Sequence, residues 1–531
     1  MPSDCISFRD THYFSTLICD YLDEVESLQP LYNRFPKIEN FEAQIKEKQD
    51  TFNHGHREVL ERALLSQYKD IDASLSTHNN IVSLKDKNTF TVVTGHQLNL
   101  FTGPLYFLYK IISTINLTKQ LKSAYPQYNF VPIYWMATED HDFDEINYFN
   151  FQGKKVQWSK DGAGAVGRFV TEGLQQVKTA LEGAFGKSKQ GLELINLFES
   201  AYLENTNLSD ATRYLANALF GEHGLVIIDA DDVSLKELFK PYIIKEIQDH
   251  QSHKFVSQSN NTLVDLNYKV QVNPRDINLF YMVDGLRERI TFNDDKYIVV
   301  NTTRSWTQET LISEINDHPE RFSPNVIMRP LYQEVILPNL CYIGGGGELA
   351  YWLQLKDYFD SVSVSFPILL VRNSVLLVPE KLSEKLNRLN LRPQELFLNQ
   401  IDFLKKKTKE LSNTEIDFSE QRNHLVQQFK DLYTLAEKTD KSFLGAVGAQ
   451  EKKQLKGLDN LEKRLLRAEK RRLKDTLDRM TAIQDELFPL GSLQERKLNF
   501  SEVYLEMGDS LIPILMNSLN PLDLNFTILT V

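Results

Sequence analysis

Cysteine is scarce in this chain of 531 residues, and its few copies are dispersed. The three cysteines, Cys5, Cys19 and Cys341, form no Cys-x-x-Cys pair. Their spacing argues against a disulfide framework and against a cysteine-rich zinc site. It predicts buried or idle thiols in a reducing compartment.

Long hydrophobic runs and excess positive charge are also missing. No apolar run approaches the roughly 18 residues of a membrane span, and the first residues lack the basic-then-apolar pattern of a secretory signal. Lys and Arg number 60 against 72 Asp and Glu, which gives a net charge of −12 and disfavours a general nucleic-acid binder. We therefore expect a cytoplasmic protein without membrane or nucleic-acid partners.

The pattern of hydrophobic residues divides the chain into parts, since a single core rarely serves so long a sequence. Residues 1–88 carry helical spacing and predict an N-terminal helical segment. Residues 89–379 alternate helical stretches with apolar runs, at 89–95, 130–138, 224–229, 326–330, 340–343 and 366–371. This alternation predicts an α/β fold with a Rossmann-like, doubly wound parallel sheet. Unusually long connections predict insertions at about 146–222 and 250–320, the second with a β-hairpin.

Residues 380–531 are predicted to form a C-terminal helical coiled-coil region. Apolar side chains recur there at spacings of three and four, which is typical of a coiled-coil seam, and the phase breaks near 468–473. We expect the two arms to fold into an antiparallel hairpin around residues 440–442. Pro489 and Gly491 should end the second arm.

The first strand run ends in a loop suited to an anion. Gly95 permits a tight turn, and Gly103 precedes a proline that fits the first helical position. Thr102 is placed to cap that helix, whose unpaired N–H groups and dipole attract anions. The loop from His96 and Gln97 to Thr102 would cradle a phosphate or carboxylate, with His96 able to donate to it. The alternative is that the glycine and the proline only shape a turn.

The second strand run ends in five carboxylates and one imidazole within residues 139–145. Like charges this close repel, so their pKa values should be pushed apart unless a cation neutralises them. Glu139, His141 and Asp142 are therefore candidates for binding an amine or Mg²⁺, or for proton transfer. An exposed acidic loop without a ligand is the alternative.

Four consecutive glycines define a third candidate site. Gly344, Gly345 and Gly347 would let backbone approach a ligand closely and form a nest for an anion, and Glu348 begins the helix that follows. Arg329 ends the preceding predicted strand and could hold a carboxylate or phosphate through two parallel hydrogen bonds. A structural ion pair is the alternative for Arg329.

Five segments, spread over most of the chain, together resemble one known family. They are VTGHQLNLFTGPLY (93–106), WMATEDHDFDEI (135–146), FSPNVIMRP (322–330), GGGGELAYW (344–352) and LFPLGSLQER (487–496). With these segments the chain resembles BshC, the cysteine-ligase family of bacillithiol biosynthesis.

The resemblance implies a Rossmann-type core similar to that of class I aminoacyl-tRNA synthetases, with connecting-peptide insertions. It also implies a coiled coil that supports homodimers. The implied reaction adds L-cysteine to glucosaminyl malate in the last step of the pathway. ATP would be the cosubstrate that activates the cysteine, and Mg²⁺ is a further candidate cofactor.

Two functional hypotheses remain open at this stage. In the first, an enzyme activates the cysteine carboxylate as an adenylate and joins it to the glucosamine amine. The first loop holds phosphate, an acidic-loop residue deprotonates the ammonium, and Arg329 or the glycine loop holds malate or phosphate oxygens. In the second, a non-catalytic scaffold keeps a nucleotide site and works through its coiled coil. A synthetase relative acting on RNA is disfavoured by the acidic composition.

Overall fold

The computed structural model describes residues 4–439 and 441–531, and the chain divides into two compact units. The first unit runs to Leu377 and resumes over Leu493–Leu529, and the second comprises Val378–Ser492 with Thr530–Val531. Residues 493–529 therefore follow the coiled coil in sequence but pack within the first unit. Among the described residues, no helix combines the length and the apolar character needed to cross a bilayer.

The strands of the described chain are short and are distributed over several sheets. In chain order they are β1 (Asp4–Ser7), β2 (Thr89–His96), β3 (Asn129–Met136), β4 (Tyr148–Phe151), β5 (Lys154–Gln157), β6 (Val226–Asp229), β7 (Leu279–Val283), β8 (Leu286–Asn293), β9 (Lys296–Val299), β10 (Ser305–Trp306), β11 (Phe322–Pro324), β12 (Asn339–Gly344), β13 (Ile368–Val371), β14 (Val375–Val378) and β15 (Asn525–Thr530).

Helices cover much of the remaining chain, including most of the N-terminal segment predicted to be helical. They are α1 (Thr16–Leu22), α2 (Asn40–Thr51), α3 (Gly55–Gln67), α4 (Leu75–Ser83), α5 (Tyr106–Ala124), α6 (Phe143–Ile146), α7 (Leu174–Phe185), α8 (Lys189–Tyr202), α9 (Leu208–Phe220), α10 (Val233–Asp249), α11 (Gln251–Asp265), α12 (Gln308–Asp317), α13 (Arg329–Ile336), α14 (Gly346–Trp352), α15 (Lys356–Ser361), α16 (Glu380–Arg388), α17 (Gln400–Leu411), α18 (Ser419–Ala436), α19 (Lys441–Arg472), α20 (Lys474–Leu487), α21 (Phe500–Met507) and α22 (Leu511–Ser518).

The predicted parallel sheet is present in the first unit. Its strand order is β13–β12–β2–β3–β6, and every neighbouring pair is parallel. All of β2 is buried, and β3 is buried from its second residue onward, as expected for strands covered on both faces. Chain order reverses between β2 and β12. In open α/β sheets, ligands bind at such a switch point, outside the carboxyl ends of the strands.

The core of this sheet explains why the apolar runs form strands. Phe90 and Val92 of β2 belong to one buried cluster with Leu117 and Leu121 of α5 and with Ile343 of β12. Each of these side chains is at most 1% exposed, and burying one such side chain contributes roughly 1.5–3 kcal/mol relative to leaving it exposed. The cluster fixes α5 against the strands whose ends carry the candidate site.

Two insertions interrupt the parallel sheet, as predicted. The first contains the β4–β5 hairpin and helices α7 to α9, and the second contains an antiparallel sheet of order β10–β9–β8–β7–β11. The predicted β-hairpin is present as β8 and β9, but its first arm, which we expected over residues 281–292, is not one continuous strand. A turn at Asp284 and Gly285 splits it into β7 and β8, and Gly285 takes the positive φ of 72° that such a turn requires.

The strand predicted over residues 326–330 is also wrong, because this segment begins a helix. The side chain of Asn325 accepts hydrogen bonds from the backbone of Ile327 at 2.9 Å and of Met328 at 3.3 Å. This local turn competes with strand pairing, and Pro330 then suits the first turn of α13. Arg329 therefore lies at the start of a helix and not at the end of a strand.

The second unit contains the predicted antiparallel hairpin. Arg422 of α18 bonds to Asp459 and Glu462 of α19, whereas Tyr433, later in α18, bonds to Glu451, earlier in α19. The second arm is interrupted at Leu473, between α19 and α20, close to the predicted break in the spacing of apolar residues. It ends at Leu487, just before a turn at Pro489–Gly491. The predicted hairpin turn includes Asp440, which lies outside the described residues.

Acidification should destabilise the second unit through Glu395. Burial alone would raise the pKa of Glu395, but hydrogen bonds from Lys407, the Arg392 backbone and Lys406 outweigh burial and lower it to about 2. Because this value lies below the ordinary 4.5, ionised Glu395 stabilises the fold above pH 4.5, and this contribution is lost as pH falls toward 2. Far-ultraviolet circular dichroism should show less acid sensitivity in Glu395→Gln than in the wild type.

The tryptophans provide an internal control for that experiment. All four of them, Trp135, Trp158, Trp306 and Trp352, lie in the first unit. Their fluorescence should therefore follow the same acid profile in the wild type and in Glu395→Gln. Identical dichroism profiles for the two proteins would contradict the assignment of Glu395.

Candidate active site

The two polar loops that follow β2 and β3 lie together at one edge of the parallel sheet. Gln97 Nε2 donates to Asp140 Oδ2 at 2.9 Å and to Glu145 Oε2 at 3.2 Å. Asn99 Nδ2 lies 3.3 Å from the carbonyl oxygen of Glu145. The adjacent parallel strands β2 and β3 end at the same level, where His96 pairs with Met136. The structure thus brings the first loop and the acidic loop together, as expected for loops that follow adjacent parallel strands.

Within the acidic loop, Glu139 is buried and paired with a lysine. Its carboxylate accepts a short hydrogen bond from Lys236 Nζ of α10, which also donates to the carbonyl oxygen of Phe322 at 2.8 Å. Burial raises the pKa of Glu139 against the opposing attraction of Lys236. Glu139 therefore supports the base of the loop, and its paired carboxylate is a poor candidate for an exposed proton acceptor.

His141 and Asp142 occupy the exposed part of the same loop. The His141 side chain is 39% exposed and that of Asp142 is 57% exposed. Arg287 Nη1 lies 2.7 Å from His141 Nδ1, and because a guanidinium can only donate, Nδ1 accepts and the proton of the neutral ring lies on Nε2. His141 Nε2 is 3.9 Å from Asp142 Oδ1. This exposed pair can bind a cationic amine and exchange a proton with it.

The first loop differs from the predicted phosphate cradle in two ways. His96 is only 7% exposed, and burial, together with repulsion from Lys110, lowers its pKa to about 3. The ring is therefore neutral near pH 7 and cannot act as a phosphate-binding cation. Thr102 does not cap the following helix, because α5 begins at Tyr106 and Thr102 has a φ of 67°.

Gly103 has a structural role in the same loop. Its φ is 64°, and a Cβ at this position would lie 2.5 Å from the Cβ of Asn99. The turn leading into α5 therefore requires glycine for both conformation and space. Gly95 faces the neighbouring strand, where an added Cβ would approach the Tyr342 hydroxyl to 3.2 Å.

The glycine run after β12 already contains a carboxylate of the chain itself. Glu348 accepts from the Gly345 backbone at 2.8 Å, from the Tyr342 hydroxyl at 2.8 Å and from Lys110 Nζ at 2.6 Å. Burial alone would raise the pKa of Glu348, but attraction to Lys110 and these hydrogen bonds outweigh burial and lower it. The predicted anion nest is thus occupied by Glu348, while Gly347 faces open space.

Gly344 is required by close packing at the end of β12. A Cβ added there would lie 2.8 Å from the Leu349 side chain. Gly345 lies near a cation, because an added Cβ would be 3.9 Å from Arg372 Nε. Arg372 Nε is buried and has no hydrogen-bond partner among the described residues.

Arg329 lies among aromatic rings near the switch point. Its guanidinium is 5.7 Å from the ring centres of Trp135 and Tyr342 and 6.0 Å from that of Trp352. Nη1 donates to Gln333 at 3.0 Å, whereas Nη2 is buried without a hydrogen-bond partner in the described chain. Arg329 is therefore a cation with an unused donor, which fits an anionic ligand better than the structural ion pair considered from the sequence.

Sequence reasoning missed several charged residues of this site, notably Lys110, Lys236 and Arg287. Lys110 had a detectable signal, since it is a lone lysine within the apolar stretch of α5 and is buried there. Lys236 and Arg287 come from α10 and β8, far away in sequence, and carry no local signal. The described residues contain no group of three or more His, Cys, Asp or Glu side chains placed to hold a metal ion.

Two family models match the chain. "Bacillithiol biosynthesis BshC, N-terminal Rossmann-like domain" matches residues 1–373, and "Bacillithiol biosynthesis BshC, C-terminal coiled-coil domain" matches residues 375–531. A relative from Flavobacterium johnsoniae, provisionally named cysteine ligase BshC, is 57% identical, with both chains covered completely. A relative of the same name from Cytophaga hutchinsonii is 37% identical over 98% of this chain and 97% of its own length.

Fold and site together define a Rossmann-like α/β enzyme with a helical coiled-coil domain. The chain belongs to the BshC family of bacillithiol biosynthesis, and the two relatives described above carry the name cysteine ligase. The non-catalytic scaffold is accordingly not favoured. A solved structure from Campylobacter jejuni, provisionally titled arginyl-tRNA synthetase, aligns with 87% of this chain and 97% of its own at 10% identity. The TM-score of this alignment is 0.22.

Proposed function

We propose that this protein forms the amide bond between the carboxyl group of L-cysteine and the amine of glucosaminyl malate, with ATP as cosubstrate. The observation that carries this proposal is the meeting of an acidic loop, a buried lysine and an arginine with an unused donor at the switch point of one parallel sheet. An amine and an anion are the two charged groups that the reaction must bring together. The site offers ligands for both.

The exposed acids of the β3 loop would bind the substrate amine. An alkylammonium is not a nucleophile, so it must lose a proton before it attacks a carboxyl carbon. Asp142 and His141 are exposed and adjacent, whereas Glu139 is held by Lys236. Asp142 would therefore hold the ammonium and accept its proton, with His141 beside it, since His141 Nε2 already carries a proton and lies 3.9 Å from Asp142 Oδ1.

The cations near the glycine run would hold anionic groups. Arg329 Nη2 and Arg372 Nε are buried donors without a partner among the described residues, and guanidinium groups bind carboxylates and phosphates well. They would bind the malate carboxylates or the phosphates of ATP. When bound, ATP would supply the leaving group that an unactivated cysteine carboxylate lacks.

Mg²⁺ would be held mainly by the nucleotide. This ion usually keeps several waters and takes one or two protein carboxylates together with substrate phosphates. The described residues offer no ready-made group of three ligands. We therefore assign no step to the ion.

We further propose a cytoplasmic homodimer formed through the second unit. Leu432, Leu435 and Leu461 on α18 and α19 are 40–54% exposed, and exposed apolar residues on coiled-coil helices favour association. The three cysteines are all free thiols, which is typical of a reducing compartment.

Asp142→Asn should abolish amide formation while preserving the fold. The substitution keeps the shape of the side chain but removes the charge that would hold the ammonium. Purified protein should be incubated with L-cysteine, glucosaminyl malate and ATP, and the thiol product measured by mass spectrometry. We expect kcat/KM to fall at least about 100-fold, in line with the loss of one preorganised polar contact.

A matched control is Asp317→Asn, which alters an exposed aspartate at the end of α12. This variant should keep wild-type activity. Normal product yield from Asp142→Asn would remove Asp142 from the mechanism. Absence of product from the wild-type protein with all three substrates would overturn the proposed reaction itself.

A further inference from the structure

A small cavity lies beside the end of β2, next to the first loop, whose residues Gln97 and Asn99 contact the acidic loop. Its inner wall is formed by His96, Thr102 and Thr212 together with the apolar side chains Phe107, Leu215 and Ala216. Gln97 and Asn99 also line it, and both are partly exposed. The enclosed space accommodates about one water-sized group.

Three buried polar atoms in this wall have no hydrogen-bond partner in the described chain. They are His96 Nε2, Thr102 Oγ1 and Thr212 Oγ1, and their residues are 7%, 4% and 6% exposed. Leaving one such group unsatisfied costs about 1–3 kcal/mol. Three of them around one cavity therefore indicate a guest that can form hydrogen bonds.

The hydrogen bonding of His96 determines whether its Nε2 atom is a donor or an acceptor toward the cavity. One ring nitrogen donates to the backbone of Thr102, and because Nε2 has no partner, that donor is Nδ1. The ring is neutral, so Nε2 carries a lone pair and accepts. The cavity thus presents one acceptor, two hydroxyl groups and an apolar side in a space too small for an extended side chain.

We propose that this cavity binds the side chain of the cysteine substrate, with the thiol between His96 Nε2 and the hydroxyls of Thr102 and Thr212. This inference rests on the proposed function, since it specifies how that site selects its amino acid. A thiol can act as a weak donor and as a weak acceptor. Its methylene group suits the apolar wall of Leu215 and Ala216.

The position of the cavity agrees with the proposed chemistry. Gln97 and Asn99, which line it, also hydrogen-bond to Asp140 and Glu145 of the acidic loop. A cysteine whose side chain entered between them would keep its carboxyl group beside the loop that we propose to hold the attacking amine.

Filling the cavity tests this assignment directly. Ala216→Val adds two methyl groups on the cavity side of α9, so isothermal titration should show L-cysteine binding weakened at least about ten-fold, the usual effect of a one- or two-carbon mismatch in a pocket. Ala211→Val is the matched control, because Ala211 is buried on the same helix but does not line the cavity. Thermal unfolding of both variants reports on the fold.

A second variant tests the polar contact. His96→Leu should reduce the preference for L-cysteine over L-2-aminobutyrate, in which a methyl group replaces the thiol. Unchanged cysteine affinity in Ala216→Val, equal weakening in Ala211→Val, or no cysteine binding by the wild type would each overturn the inference. The titrations contain neither ATP nor glucosaminyl malate. A wild-type protein that binds cysteine but forms no amide would therefore refute the proposed function alone.

Discussion

Replacing Lys110 with methionine should lower the rate of amide formation at least about 100-fold, as removal of one preorganised donor commonly does. Lys110 Nζ bonds to the carbonyl oxygen of Gly95 at 2.5 Å and to Glu348 at 2.6 Å. It therefore links the end of β2 to the start of α14 across the switch point. Methionine retains most of the buried alkyl chain but removes both contacts and the positive charge.

Glu348 explains why this effect should be large. Attraction to Lys110 is the strongest of the influences that hold the pKa of Glu348 below its ordinary value. Without Lys110 that pKa should rise, and the carboxylate should no longer be fixed at the Gly345 backbone. Steady-state kcat with saturating substrates measures the loss.

A lysine on the same helix provides the control for that measurement. Lys119 of α5 is exposed, and Lys119→Met should keep normal kcat. The double variant Lys110→Met with Glu348→Gln should restore folding if the single change proves unstable, but it should not restore activity. A Lys110→Met enzyme with wild-type kcat would show that the link between β2 and α14 is irrelevant to the reaction.

The position of the site could be predicted from sequence because parallel strands impose it. Runs that end in Gly95 and Thr138 belong to neighbouring strands, so their polar ends necessarily share one edge of the sheet. In the structure the end of β12 joins the same edge, because Ile343 pairs with Thr94 and Gly344 therefore lies next to Gly95. No knowledge of side-chain packing was needed for these conclusions.

The roles of individual side chains could not be predicted in this way. His96 follows the apolar run 89–95 and is interpreted from sequence as a loop residue, yet it is the last residue of β2 and lies next to residues of α5 and, from the first insertion, α9. Glu139 was grouped with the exposed acids, but Lys236, almost a hundred positions later, pairs with it. Burial and pairing of this kind depend on contacts between remote segments, which local sequence patterns do not encode.

The C-terminal segment illustrates the same limit. Residues 487–496 read as the end of the coiled-coil region, and nothing in their composition shows that Glu495 is fully buried in the first unit. Its partner, Arg372, directly follows β13. The pairing of the two is visible only once the chain returns to the sheet.

Arg372→Met should destabilise the first unit by about 3–5 kcal/mol, the usual cost of leaving a buried charge without its partner. Arg372 bonds to both carboxylate oxygens of Glu495, at 3.0 and 2.7 Å, with side chains 4% and 0% exposed. The remaining partners of Glu495, the hydroxyl of Ser374 at 3.3 Å and the backbone of Val375 at 3.2 Å, are neutral. Unfolding in urea, monitored by tryptophan fluorescence, measures the stability of the first unit alone, because all four tryptophans lie in it.

The double variant Arg372→Met with Glu495→Leu separates a buried-charge effect from a simple loss of packing. Replacing both partners with apolar residues of similar volume is often neutral or stabilising, so the double variant should recover most of the lost stability. Lys46→Met is the surface control, because its pair with Glu42 is 65% and 60% exposed and such pairs contribute about 1 kcal/mol or less. If the double variant were less stable than Arg372→Met alone, the hydrogen bonds that Glu495 accepts from Ser374 and Val375, and not its charge pair, would hold residues 493–529 against the sheet.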